Sequence, residues 1–210
     1  NGYDFTVDWG DGSPEESYTL NPGVNTAHFI EHTYSSPGIY TVEIRGDFPR
    51  IYFNNSGDKE KILSVESWGE IVWDEMEFAF YGASNLVINA LDSPDLTNVI
   101  SLYSMFRDAA SMNSSLNQWD VSGIENMAEM FYGASSFNQN LDNWETGNVE
   151  KMALMFRDAT AFDRDIGMWD ISNVLLMENM LSNSGLSVDN YDAILSGWSA
   201  QTVQSGITLG

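Results

Sequence analysis

The chain has 210 residues, 43% of them apolar and 13% aromatic, which is enough to build a core and excludes wholesale disorder. Eight Lys and Arg stand against 31 Asp and Glu, a formal charge of −23, so the surface field favours cations and speaks against nucleic acid as a partner. There is no cysteine, which rules out a disulfide framework or a thiolate metal site, and no apolar run approaches transmembrane length.

Residues 1–48 read as β. Tyr3, Phe5, Val7 and Trp9 alternate with polar residues, the strand stops at Gly10-Asp11-Gly12-Ser13-Pro14, and a second alternating run occurs at Tyr40, Val42 and Ile44. The strings VDWGDGS and EHTYSSPGIYTVEI resemble the polycystic-kidney-disease-type (PKD) domain, an immunoglobulin-like sandwich common on cell surfaces. Such a sandwich needs nearly twice the residues, so the segment is expected to be a truncated copy or, preferably, a small sheet that caps a solenoid built by the rest of the chain. The only histidines are His28 and His32, and His32 matches the HTY corner of that domain.

Residues 49–70 form a polar junction, and in and just before it Arg45, Arg50, Lys59 and Lys61 gather half of the basic side chains. Beyond it lies a 25-residue unit written three times without a gap, from Met105 to Asn179: MFRDAASMNSSLNQWDVSGIENMAE, MFYGASSFNQNLDNWETGNVEKMAL and MFRDATAFDRDIGMWDISNVLLMEN. Apolar residues recur at i, i+3, i+4 and i+7, as in Met127, Met130, Phe131 and Ala134, which predicts a two-turn helix per unit. The LxxWxV motifs, such as Leu116, Trp119 and Val121, predict a very short strand in each unit. Strand plus helix at a fixed period is the leucine-rich-repeat plan.

The units resemble the BspA-type leucine-rich-repeat surface proteins of bacteria, whose repeat runs approximately WDVSNVTNMxxMFxxAxxFNQxL. Asn117 to Trp144 matches it nearly residue for residue, and the likeness covers most of the chain from Pro49 onward. The fold expected is therefore α/β, a leucine-rich-repeat-like solenoid with a short parallel strand and a short helix per repeat over 49–185. An N-terminal antiparallel β cap occupies 1–48 and a C-terminal helical cap 186–210, where Ser187 is the N-cap and Tyr191, Ile194, Leu195 and Trp198 form the apolar stripe. The resemblance implies an extracellular or cell-surface binding module without catalytic activity.

Asp95, Asp120, Glu145 and Asp170 sit between the apolar residues of the predicted strands and would form an acidic ladder on an exposed sheet face. Two readings stay open for it. In one, the ladder, flanked by Gln118 and Asn143, binds a cationic or Ca²⁺-bridged ligand. In the other, each carboxylate bonds the adjoining turn and sets local geometry. Ca²⁺ is the one cofactor suggested, with Asp8 and Asp11 or Asp163 and Asp165 as its ligands, and no organic cofactor is expected. Trp119, Trp144 and Trp169 are expected in the core, and exposed aromatics at Tyr81, Tyr103 and Tyr132.

No HExxH, P-loop, GxSxG or GxGxxG motif occurs, so no enzyme is expected. The function expected is non-catalytic binding of a protein, peptide or glycan on another cell or surface. The alternatives are a Ca²⁺-dependent peptide- or sugar-binding domain that uses end loops, and a structural spacer. The chain begins at Asn1 without Met and reads as one part of a larger multidomain protein.

Overall fold

The computed structural model describes residues 3–20, 30–48 and 50–209, and His28 lies outside them. Contacts divide the chain into two units, Asn1–Pro49 and Arg50–Gly210.

The first unit holds a three-stranded antiparallel sheet of order β2-β1-β3, built from β1 (Tyr3–Asp8), β2 (Glu16–Leu20) and β3 (Glu43–Asp47). Alternation in β1 buries Phe5 and Val7, and Tyr18 and Phe48 pack on the Phe5 ring at 5.4 and 5.0 Å. The expected run from Tyr40 is shorter than its pattern suggests, because β3 starts only at Glu43. The Tyr40 ring instead stacks on Tyr34 at 4.1 Å, and its hydroxyl donates to the Ser36 carbonyl at 2.7 Å.

In the second unit the expected α/β leucine-rich-repeat solenoid is corrected. The described residues contain one α-helix, α1 (Val188–Ser199), and beyond the first sheet only one two-stranded parallel sheet, β4 (Ser64–Val65) with β5 (Val87–Ile88). The Met-Phe segments are not helices. Their amides alternate between two kinds of partner: Met130, Tyr132 and Ala134 donate three residues back, to Met127, Glu129 and Phe131, while Glu129, Phe131 and Gly133 donate to Ala153, Met155 and Arg157. A helix would direct every amide to i−4. Its path is broken by two left-handed residues four apart in each segment: Phe78 and Gly82, Ser104 and Asp108, Glu129 and Gly133, Leu154 and Asp158, Asn179 and Asn183.

The LxxWxV motifs are not strands either. Trp119, Trp144 and Trp169 donate their amides three residues back, to Leu116, Leu141 and Ile166, which closes turns. Parallel pairing occurs instead as single-residue bridges, Ser101 to Asn126, Asn126 to Lys151 and Lys151 to Leu176, just before each Met-Phe segment.

The apolar interior holds these turns together. Phe80, Phe106, Phe131 and Phe156 are fully buried and stack ring on ring at 5.7, 5.8 and 5.4 Å, within 14° of parallel. Phe137 and Phe162 form a second column 6.1 Å apart. Trp119, Trp144 and Trp169 are buried as expected, and the indole N–H groups of Trp144 and Trp169 donate to the Leu116 and Leu141 carbonyls.

Helix α1 stands where its stripe places it. Ser187 caps it by accepting from the Asn190 amide, Ile194 and Trp198 are buried, and Tyr191 and Leu195 remain partly exposed. Gly197 and Gly167 allow the helix to touch the last turn backbone to backbone, where a side chain on either would clash. After the helix, Gln201 accepts from the Ile171 amide at 2.9 Å and donates to the Trp169 carbonyl at 2.8 Å, which ties the tail to the last turn.

Candidate functional site

Because the Met-Phe segments bury Met, Ala and Phe, several of their other residues point outward in register, although Ser104 is buried. One such column reads Tyr81, Arg107, Tyr132, Arg157. The Arg107 guanidinium lies 5.0 Å from the Tyr81 ring centre and 4.5 Å from that of Tyr132, with Arg157 5.9 Å from Tyr132 on its other side. All four side chains are partly exposed.

Arg107 is held in place by its ion pair with Glu129, whose carboxylate also accepts from the Tyr103 hydroxyl at 3.1 Å and the Ser104 hydroxyl at 3.2 Å. Partial burial works against the Arg107 charge, but Glu129, Tyr81 and Asp108 outweigh it and raise its pKa. Burial, and then the bond to Glu129, also raise that of Tyr103. Burial pushes Asp108 above the usual carboxylate range even though Arg107 and Lys59 oppose the shift. The result is a pre-set guanidinium between two aromatic rings, suited to planar or anionic groups and to hydrogen-bond acceptors.

An open groove of about 190 Å³ runs along the main-chain bridges, lined by Glu77, Ile100, Ser101, Glu125, Asn126, Glu150 and Lys151. The Ser101 hydroxyl donates to Glu77 at 2.5 Å.

The residues that the sequence pattern marks as a ladder lie elsewhere. All four are exposed; Asp120, Glu145 and Asp170 lie where turns begin and not on a sheet face, Asp95 forms a single parallel bridge with Val72, and among the described residues no hydrogen bond or ion pair joins one of the four to the next. Asp120 accepts from the Ser122 hydroxyl at 2.6 Å and amide at 3.0 Å, Asp95 likewise from Thr97, and Asp170 from the Ser172 amide at 2.9 Å. These bonds hold the three carboxyls below their usual range. Gln118 and Asn143 are exposed beside them, the Asn143 amide donating to Asn117 Oδ1 at 2.9 Å.

Among the candidate calcium ligands, Asp8 accepts from the Gly10 amide, and Asp11 from the Ser13 amide and from His32, each at 2.9 Å. The bonds from Ser13 and then His32 hold Asp11 well below the carboxylate range. Asp165 accepts from the Gly167 amide at 2.8 Å, and Asp163 from the amide and hydroxyl of Ser187 and from Asn190. Asp163 thereby anchors the start of α1, extending a line in which Asn113 accepts from the Asn138 amide and Asn138 from the Asp163 amide. Among the described residues no three His, Cys, Asp or Glu side chains are grouped to hold a metal ion.

The sequence alone marks Tyr81, Tyr103 and Tyr132 as exposed aromatics, but it does not single out Arg107, Arg157 or Glu129. Their signal is the alternation Tyr-Gly, Arg-Asp, Tyr-Gly, Arg-Asp immediately after successive buried phenylalanines. It becomes visible only once those residues are known to face outward.

No helix among the described residues is long and apolar enough to cross a membrane. No curated protein and no solved structure matches the chain. One family model does, over residues 74–203, a span that contains every Met-Phe segment from Met76, the Tyr/Arg column and α1. The chain belongs to the family described as Mycoplasma protein of unknown function, DUF285.

Proposed function

We propose that this chain is a non-catalytic ligand-binding module of a bacterial cell-surface protein, taking protein, peptide or glycan ligands on the outward Tyr81, Arg107, Tyr132 and Arg157 column. The observation that carries the reading is the column itself, in which two of the chain's eight basic residues are interleaved with tyrosines at cation–π distance. Tyr and Arg are the residue types richest in interface binding energy, and rigid placement lowers the entropic cost of using them. A surface setting is supported by the family and by the resemblance of Asn117–Trp144 to BspA-type units.

The test is an array of sulfated, sialylated and neutral glycans together with extracellular-matrix proteins, probed with the purified chain. The reading expects saturable binding to one class, weakened at least about tenfold, or ~1.4 kcal/mol, by Tyr132→Ser and by Arg107→Lys, with the melting temperature little changed. Binding that both variants retain in full, or none across the array, would contradict it.

A further inference from the structure

The last Met-Phe segment ends on an open edge. In each preceding segment from Met76 onward three alternate amides donate to carbonyls of the next: Leu154, Phe156 and Asp158 donate to Glu178, Met180 and Ser182. The equivalent amides of the last segment belong to Asn179, Leu181 and Asn183, and among the described residues none has an acceptor. The first segment, at residues 50–55, is the converse. Phe53 and Asn55 donate to Ala79 and Tyr81, while the carbonyls of Arg50, Tyr52 and Asn54, at the positions of acceptors in later segments, accept nothing among the described residues. A row of three donors at one end thus stands against a row of three acceptors at the other; the first segment differs from the later ones in that its left-handed residues, Asn54 and Asn55, are adjacent and the Asn54 amide also donates, to Phe78.

Two further features agree. Beside the donor edge lies an open hollow of about 310 Å³ lined by Leu181, Leu186, Val188 and Tyr191, and beside the acceptor edge Tyr52 is 44% exposed. Residues 50–61 carry three basic and two acidic side chains, with Arg50 paired to Glu75 and Lys61 to Asp58, whereas 176–192 carry three acidic and no basic ones, so the ends differ in charge within a chain that is otherwise strongly acidic.

We propose that a second copy of this chain docks head to tail on this edge. Asn179, Leu181 and Asn183 then donate to Arg50, Tyr52 and Asn54 of the second copy, and the Tyr52 side chain seats against the hollow beside Leu181. Such a contact is heterologous and does not close on itself, so copies add one after another. An unpaired backbone edge is the usual template for this kind of growth.

Sedimentation of the whole chain from micromolar to millimolar concentration, with amide exchange read residue by residue, tests it. The expected result is a mass that rises with concentration while the 179–183 amides become protected. Leu181→Asp and Tyr52→Asp each weaken association at least about tenfold, whereas Leu91→Asp, at a fully exposed site, does not. Each edge variant keeps one sound edge, so mixing the two restores a one-to-one complex; this separates a blocked edge from a misfolded chain. A monomer throughout, protection confined to other amides, or a mixture that stays monomeric would overturn the proposal.

Discussion

Asp108 shows how one position serves both backbone and charge. It adopts a left-handed φ of 56°, which Asn and Asp tolerate better than other side-chain-bearing residues, and Gly82, Gly133, Asp158 and Asn183 hold the same place in the other segments. Burial raises its folded-state pKa, so its contribution to stability is fully present below the unfolded value of about 3.9 and is lost as pH rises through the folded value. Asp108→Asn keeps the backbone preference and removes the partly buried charge. With the side chain 46% exposed, solvent screening discounts the gain, which is expected to be at most about 1 kcal/mol at pH 7 and smaller at pH 3, read by urea unfolding at both. Asp95, Asp120, Asp163 and Asp170 have the opposite sign: their lowered values give stability above about pH 3.9 that fades as pH falls through them. An Asp108→Asn chain less stable than the parent at pH 7 would contradict this account of the site.

At the scale of elements, the phenylalanine column decides whether the turns hold together. Phe131 is fully buried and stacks on Phe106 and Phe156, so Phe131→Ala leaves a cavity the neighbouring rings cannot close and is expected to cost about 3–5 kcal/mol, measured by urea unfolding. A cost below about 1 kcal/mol would mean that the column does not hold adjacent turns together. Much of this interior is legible in the sequence: the spacing marks Met127, Met130, Phe131 and Ala134 as apolar and inward, and they are buried. That same spacing predicts a helix because i, i+3, i+4, i+7 is also what consecutive three-residue turns produce. Gly133 and Asp158 are visible hints of a left-handed break, but Glu129 and Leu154 take the same conformation with no such hint. Helix α1 is legible because its cap and its stripe agree and no left-handed residue interrupts them. The exposure of Asp95, Asp120, Glu145 and Asp170 is legible, and of the two roles left open for them the turn bond is made by Asp95, Asp120 and Asp170, while the Tyr/Arg column stays hidden until the outward direction of each segment is fixed.

For the whole molecule, the sharpest consequence is that the Met-Phe segments of the second unit bond across three-residue turns and to residues about 24 further along the sequence, and not along local helices. Such non-local pairing buries the phenylalanines and aligns Tyr81, Arg107, Tyr132 and Arg157, and it leaves the donor edge at Asn179–Asn183. A chain of 31 acidic and eight basic residues also repels itself, and the aromatic interior offsets that repulsion. The measurement that tests this picture most directly is NMR of the labelled chain, combining backbone chemical shifts with scalar couplings across hydrogen bonds. Expected are helical shifts over Val188–Ser199 alone among the described residues, with couplings from the Phe131 amide to the Met155 carbonyl and from the Phe156 amide to the Met180 carbonyl. Continuous helical shifts over Met127–Ala134, with Phe131 coupled to Met127, would contradict it and would dissolve both the column and the edge.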